Sequence, residues 1–142
     1  MIEGLVITQL KQVFHPKGDV FHALKKSDPG FVEFGEAYFS TILEGDIKSW
    51  KKHKQVTLNL IVPVGEIKFV VFDDRKTSMT KGEYFSISLS HMNYCRLTVP
   101  PNVWMAFQGR GKDKSILLNI TNQEHDPREI ERLDLDNIPY IW

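Results

Sequence analysis

Two side chains that can move protons, Lys51 and His53, stand two positions apart in a segment rich in lysine. On a β-strand, residues two positions apart point to the same face of the sheet. Imidazole is a common general acid or base, and a lysine can act as a base where burial lowers its pKa. If this face lines a pocket, the pair can therefore take up or return a proton.

The lysines of this segment have a second interpretation, as the solvated edge of a sheet. Lysine is frequent on exposed strand edges because its charge discourages pairing with another chain. The lysines concerned are Lys48, Lys51, Lys52 and Lys54. Two tryptophans, Trp50 and Trp104, also allow two interpretations. Their rings can line a pocket for a nucleotide base or a sugar, or they can pack in the core.

Short strands must position these side chains, because the chain is dominated by β-prone segments separated by turns. Val56–Val62 and Ile67–Phe72 predict a hairpin around a glycine turn, and Phe31–Ile42 predicts a long strand. Only Pro127–Leu133 predicts a helix, with proline in its first turn. Many strands with almost no helix predict an all-β sandwich or jelly-roll barrel with one short C-terminal helix.

Composition limits the class of protein further. The 142 residues predict a single domain over 1–142, and 42% apolar residues suit a globular core. With 18 basic and 18 acidic side chains, the chain offers no overall charge for nucleic acid or an anionic membrane. A lone cysteine, Cys95, and the absence of a signal-peptide pattern predict a cytoplasmic protein.

Several segments, taken in chain order, resemble one known family. They are Ile47–Lys54, Val62–Arg75, Leu97–Phe107 and Leu133–Trp142. They are similar, in the same order, to four segments of the cupin-type dTDP-4-dehydrorhamnose 3,5-epimerases. These are the Ile-Arg-Gly-Leu/Trp-His run, two successive strands ending in Asp-Asp-Arg, the Pro-x-Gly-x-x-His-Gly-Phe segment and the closing Ile-x-Trp. The resemblance implies a cupin jelly roll, usually a homodimer, that uses no cofactor and acts on a nucleoside-diphosphate sugar in deoxysugar or surface-polysaccharide assembly.

The resemblance fails at the residues that this family uses to transfer protons. Lys51 takes the position of the family's histidine base, and Met105 replaces the histidine of His-Gly-Phe. The segment Leu117–Glu124 has no tyrosine to match the family's acid. Three explanations stay open: Lys51 as the base with His53 or Glu124 helping, a related isomerisation of a keto-sugar, or a silent protein that binds a sugar nucleotide or a partner without turnover.

We expect a further set of residues to contact the substrate. They are Lys17, Glu36, Lys48, Trp50, Asn59, Trp104 and Asn119. Lys17 and Lys48 match arginines of the family, and a diphosphate needs such cationic donors. Metal-using cupins supply several closely spaced histidines, whereas this chain has only His53 in the first metal-binding window and none in the second, so we expect no metal.

Overall fold

The computed structural model describes all residues from Met1 to Trp142. The strands are β1 (Val6–Gln9), β2 (Gln12–Val13), β3 (Val20–Phe21), β4 (Glu36–Leu43), β5 (Ile47–His53), β6 (Leu58–Val64), β7 (Glu66–Phe72), β8 (Tyr84–Ser90), β9 (Cys95–Val99), β10 (Trp104–Gly109), β11 (Lys114–Thr121) and β12 (Ile130–Leu133). Two single 3-10 turns cover Pro127–Glu129 and Leu135–Asn137. None of the helical segments has the length or the apolar character needed to span a membrane.

Two five-stranded antiparallel sheets form the barrel. The first sheet has the order β1-β9-β6-β11-β4, and the second has the order β12-β5-β10-β7-β8. From β4 to β7 the chain changes sheet at every step, which is the behaviour of a jelly roll rather than of a simple meander. The all-β jelly-roll prediction is therefore confirmed, with the small hairpin β2-β3 as an addition.

The main core lies between the two sheets. Leu58, Leu60 and Leu117 of the first sheet pack with Phe69 and Met105 of the second. Burial of such side chains contributes about 1.5–3 kcal/mol each to folding. The inward residues of β4, β5 and β11 then change from apolar to polar, so that the core continues into a cavity.

The predicted hairpin around Gly65 is wrong. Strands β6 and β7 follow each other closely, but they belong to different sheets and do not pair. Gly65 makes the sharp transition at a φ of 82°, and a Cβ atom there would lie 2.2 Å from the Ser115 hydroxyl oxygen. Two β-prone runs around a glycine therefore do not distinguish a hairpin from a crossing between facing sheets.

The predicted helix over Pro127–Leu133 is also corrected. Only Pro127–Glu129 is helical, as one 3-10 turn whose start is capped when the Asp126 carboxylate accepts from the Arg128 N–H at 3.0 Å. The chain then forms β12, which pairs antiparallel with β5. The free edge of β5 supplies backbone partners, and tertiary pairing overrides the weak local preference for helix.

The predicted strand Phe31–Ile42 begins later, at Glu36, and continues to Leu43. The Gly35 N–H still donates to the Thr121 carbonyl at 2.7 Å, but residues before it leave the sheet. The strand keeps its expected long, apolar-rich character and forms the edge of the first sheet beside β11.

Candidate active site

A bulge in β5 turns both Lys48 and Lys51 toward the interior of the barrel. Lys51 pairs with Met105 and Lys48 pairs with Phe107, so two residues of β5 face a single residue of β10. Without the bulge, residues three positions apart would point to opposite faces. The Lys48 ammonium lies 5.7 Å from the centre of the Phe107 ring. The extra residue therefore brings a second cation to the inner face.

The inner face of β5 forms one wall of a cavity of about 160 Å³ between the two sheets. Its lining consists of Tyr38, Ser40, Lys48, Ser49, Lys51, His53, Leu58, Leu60, Met105, Phe107, Leu117, Asn119, His125, Ile130 and Arg132. The lining thus combines cationic side chains, two histidines and a tyrosine with apolar side chains, and it contains no carboxylate. Nowhere in the chain do three His, Cys, Asp or Glu side chains converge in an arrangement that could hold a metal ion.

His53 and Glu129 form a partly buried acid–base pair at this wall. The imidazole Nδ1 hydrogen-bonds to Glu129 Oε1. The other carboxylate oxygen accepts from the N–H groups of Lys54 at 3.0 Å and Gln55 at 3.2 Å. Because the carboxylate acts as the acceptor in both of these contacts, we assign Nδ1 of His53 as the donor to Glu129. The ring nitrogen Nε2 is left as the basic atom.

Arg132 adds a cation that the sequence did not predict. It stands opposite Lys51 in the pairing of β12 with β5, and both line the cavity. No ion pair within the chain involves either residue. Desolvation lowers the pKa of Lys51, and the positive charges of Arg132 and Lys48 lower it further. Three neighbouring positive charges at the cavity attract anions, so this group suits an anionic ligand.

The facing wall carries Tyr38 and Asn119 on neighbouring strands of the first sheet. Tyr38 of β4 pairs with Asn119 of β11, and the Asn119 Nδ2 donates to the Tyr38 hydroxyl at 2.8 Å. Burial raises the pKa of Tyr38, and the charge of Glu36 acts in the same direction, against the Asn119 hydrogen bond. The phenol is therefore protonated at neutral pH.

Trp50 and Trp104 lie on the opposite face of the second sheet, away from the cavity. Both are buried with Val70, Ala106 and Ile138, beneath the C-terminal segment. The Trp104 indole donates to Asp74 Oδ2 at 2.8 Å. Both tryptophans thus belong to a packed apolar cluster.

Four further residues expected to act on the substrate lie outside the cavity lining. They are Lys17, Glu36, Asn59 and Glu124. Lys17 is exposed on the β2–β3 hairpin, and Glu124 is exposed after β11. Asn59 points away from the cavity, donating to the Gly30 carbonyl at 3.0 Å and accepting from Thr98 at 2.7 Å. The cavity thus brings together Lys48, Lys51, His53 and Asn119 of the expected set.

Sequence reasoning missed Tyr38, Glu129 and Arg132. Glu129 and Arg132 lay in the segment predicted as a helix, and only the pairing of β12 with β5 carries them to the site. Tyr38 lay in a predicted strand, where alternation alone does not say which face is inside. The sequence offered one signal for Glu129. An imidazole that acts as a base needs a partner for its second nitrogen, so His53 predicts a nearby acceptor.

This combination defines a class: a double-sheet jelly-roll barrel of the cupin type, with a set of acid–base and cationic groups inside it. A dTDP sugar isomerase from Desulfovibrio desulfuricans G20 superimposes with a TM-score of 0.95 and 37% identity, over 99% of this chain and 92% of that chain. The dTDP-4-dehydrorhamnose 3,5-epimerase of Sulfolobus tokodaii shares the fold, with a TM-score of 0.85 at 23% identity over 97% of this chain and 81% of that chain.

Curated relatives agree with this likeness. A probable low-salt glycan biosynthesis epimerase of Haloferax volcanii is 30% identical over 105 residues, which are 73% of this chain and 65% of that protein. The spore coat polysaccharide biosynthesis protein SpsL of Bacillus subtilis is 26% identical over 99% of this chain and 91% of its own length. No family model matches the chain. The chain belongs to the family of the dTDP sugar isomerase from Desulfovibrio desulfuricans G20, and it shares the fold of the dTDP-4-dehydrorhamnose 3,5-epimerases.

Proposed function

We propose that this protein is a sugar-nucleotide epimerase that removes and returns a proton at a carbon beside the ketone of a dTDP-linked 4-keto-6-deoxyhexose. The observation that carries the proposal is the His53–Glu129 pair at the wall of a cationic cavity. An imidazole held by a carboxylate is a general base with a defined free nitrogen, which Lys51 alone would not provide.

The base step follows from the geometry of the pair. Glu129 holds the Nδ1 proton of His53, and Nε2 takes the proton from the carbon next to the ketone. The electron pair of that C–H bond forms the enolate, whose charge collects on the ketone oxygen. Lys51, with Arg132 beside it, supplies positive charge inside the cavity where this negative charge develops. In this proposal Lys51 acts as a cation, and His53 takes the role of base.

The cavity encloses the sugar rather than the whole ligand. Pockets that surround a drug-sized molecule measure about 300–1,000 Å³, and this cavity measures about 160 Å³. The diphosphate would then lie at the mouth, where Lys48 is exposed. Charged hydrogen bonds to phosphate oxygens are stronger than neutral ones, so they can anchor the nucleotide while the sugar occupies the cavity.

Two further features of the proposal concern setting and assembly. The glycan and spore coat roles of the relatives support a role in polysaccharide or deoxysugar synthesis, and we place the protein in the cytoplasm on the basis of its single reduced, buried cysteine, Cys95. A homodimer is supported by exposed apolar side chains on and near the β4 edge, with Phe39 68% and Leu43 57% exposed. Sedimentation of a monomer at micromolar concentration would count against the dimer.

A second candidate, a silent cupin that binds a sugar nucleotide or a protein partner, is favoured by one observation: Lys51 stands where the family has its histidine. Solvent deuterium exchange separates the two functions. The protein is incubated in deuterium oxide with dTDP-4-keto-6-deoxyglucose, and the sugar is analysed by NMR and mass spectrometry. Deuterium at a carbon beside the ketone supports the epimerase, whereas binding without exchange supports the silent cupin.

A further inference from the structure

Lys51 is the lysine of β5 whose side-chain nitrogen has no polar partner in the protein. On the same strand, the Lys48 ammonium donates to the Thr41 carbonyl at 2.8 Å, and the Lys52 ammonium lies 3.2 Å from an Asp74 carboxylate oxygen. Lys51 takes part in no ion pair. It lines the cavity and remains exposed, so its nitrogen is accessible to a ligand there.

The neighbours of Lys51 favour the neutral amine over the ammonium. Strand pairing places Arg132 on one side and Met105 on the other, and the cavity lining holds no carboxylate that would stabilise the charged form. Desolvation lowers the pKa of Lys51, and the charges of Arg132 and Lys48 lower it further. A desolvated lysine beside another cation is the arrangement that makes an amine nucleophilic toward carbonyl groups. Arg132 stays protonated and still attracts an anionic ligand.

His53 stands where a base is needed beside such a nucleophile. Lys51 and His53 are two positions apart on a part of β5 that pairs regularly with β12. Their side chains therefore enter the cavity from the same face, about 6–7 Å apart along the strand. In a keto-sugar, the ketone carbon and the carbon that loses its proton are directly bonded. One side chain can thus reach the ketone while the other reaches the neighbouring C–H bond.

We propose that Lys51 forms an imine with the ketone of the bound sugar, and that this covalent bond activates the neighbouring carbon for proton transfer by His53. The inference rests on the proposed epimerase function and goes beyond it, because that function needs Lys51 only as a positive charge. The Lys51 amine adds to the carbonyl carbon, and the ketone oxygen leaves as water. The protonated imine that results carries its positive charge on the lysine nitrogen and is a stronger electron sink than the ketone.

The remaining steps balance with water as the only other reagent. His53 Nε2 removes the proton, the electron pair of that C–H bond forms a carbon–carbon double bond, and the C=N pair moves to the Lys51 nitrogen as a neutral enamine. The enamine then takes a proton from His53 on the original face, or from water on the opposite face while His53 releases its proton to solvent. Either route restores the protonated imine. Water adds to the imine carbon and displaces the Lys51 amine, so that the ketone and the free lysine return.

The test traps the imine in the wild type, in Lys51→Arg and in Lys52→Arg. Each protein is incubated with dTDP-4-keto-6-deoxyglucose and sodium cyanoborohydride, which reduces protonated imines far faster than ketones, and the adduct is located by peptide mass spectrometry. We expect a stable adduct at Lys51 in the wild type. Lys51→Arg keeps the positive charge but forms no imine, so it should give no adduct and lose deuterium exchange while it still binds dTDP. Lys52→Arg, changed on the outer face beside Asp74, should match the wild type.

A second measurement needs no variant. The wild type is incubated with the same sugar nucleotide in water enriched in oxygen-18, and the ketone oxygen is followed by mass spectrometry. Formation and hydrolysis of an imine replace this oxygen, whereas an enolate keeps it. We therefore expect the protein to speed oxygen exchange above the rate of hydration measured without protein.

The outcomes separate the imine from the proposed function. A wild type that exchanges deuterium, but gives neither an adduct nor faster oxygen exchange, would overturn the imine and leave the epimerase standing with Lys51 as a cation. Deuterium exchange at the wild-type rate in Lys51→Arg, or an adduct that persists in that variant, would overturn the imine in the same way. A wild type that binds the sugar nucleotide and exchanges neither deuterium nor oxygen would overturn the epimerase, and the imine with it.

Discussion

The two faces of β5 place neighbouring residues in opposite environments. On the outer face, Trp50 is fully buried in an apolar cluster, and Lys52 is held by carboxylates and an indole ring. On the inner face, Lys51 has no ion-pair partner, and His53 keeps one ring nitrogen free toward the cavity. The difference shows that the packed outer face of a strand can hold it in position while the inner face stays available to a ligand. Substitutions at adjacent positions should therefore separate stability from activity.

The largest effect is expected for His53→Gln on the inner face. Loss of a general base should lower deuterium exchange about 10²–10⁴-fold. The melting temperature should change little, because the residue packs against the cavity and not within the core. Exchange and thermal unfolding are measured on the same preparation, with Glu129→Gln as the companion variant that keeps the imidazole but removes the charge that orients it. Exchange at the wild-type rate in His53→Gln would show that another group is the base.

On the outer face, Trp50→Ala should affect stability and leave chemistry intact. Removing a fully buried indole costs about 3–5 kcal/mol, because a cavity remains in the packed cluster. Denaturant unfolding measures this cost. The exchange rate per folded molecule should be unchanged at a temperature where the variant is folded. Trp50→Phe, which keeps most of the volume, should cost less; if it stayed stable and lost ligand binding, Trp50 would belong to the site after all.

The sequence predicted the fold class better than it predicted which strands pair with each other. Alternation and turn residues indicated an all-β barrel, and most strands follow those runs. Gly65, however, was taken as a hairpin turn, although it connects strands of different sheets. Local pattern specifies a turn, whereas the choice of partner strand depends on long-range packing. The same limit explains the helix predicted where β12 pairs with β5.

Within the site, the sequence predicted correctly only which residues of a single strand share a face. The two-residue spacing of Lys51 and His53 on β5 indicated a shared face, and both line the cavity. Lys48 reaches this face through a bulge that no spacing reveals. Glu129 is 76 residues from His53 in sequence, so its contact depends on the whole topology. Trp50 and Trp104 were open to either interpretation because an aromatic ring suits a pocket and a core equally well.

The inner-face lysine provides the third prediction. Lys51→Ala should weaken binding of dTDP or of the sugar nucleotide by about 1.5–3 kcal/mol, the value of a hydrogen bond to a charged group. Stability should be unaffected, because Lys51 has no ion pair to lose and sits beside the like charges of Arg132 and Lys48. Isothermal titration calorimetry measures the affinity, and Lys51→Arg should retain much of it. Equal affinity in wild type and Lys51→Ala would make Lys51 a solvated lysine without a role.

The smallest effect is expected for Lys52→Ala, which removes the same kind of side chain one position along the same strand. The Lys52 ammonium lies 3.2 Å from Asp74, 3.6 Å from Glu131 and 4.5 Å from the centre of the Trp104 ring. Both carboxylates are well exposed, so each ion pair contributes about 0–1 kcal/mol. Asp74 also keeps its hydrogen bond from the Trp104 indole when the lysine is removed.

We therefore expect Lys52→Ala to lower the free energy of unfolding by about 1 kcal/mol, from the ring contact together with the two exposed pairs. Added salt should shrink this difference, because the charges are open to screening. Nucleotide affinity and deuterium exchange should equal those of the wild type, since the side chain points away from the cavity. If Lys52→Ala weakened nucleotide binding as much as Lys51→Ala, the ligand would be attracted by the general charge of the strand, and the division between its two faces would not govern function.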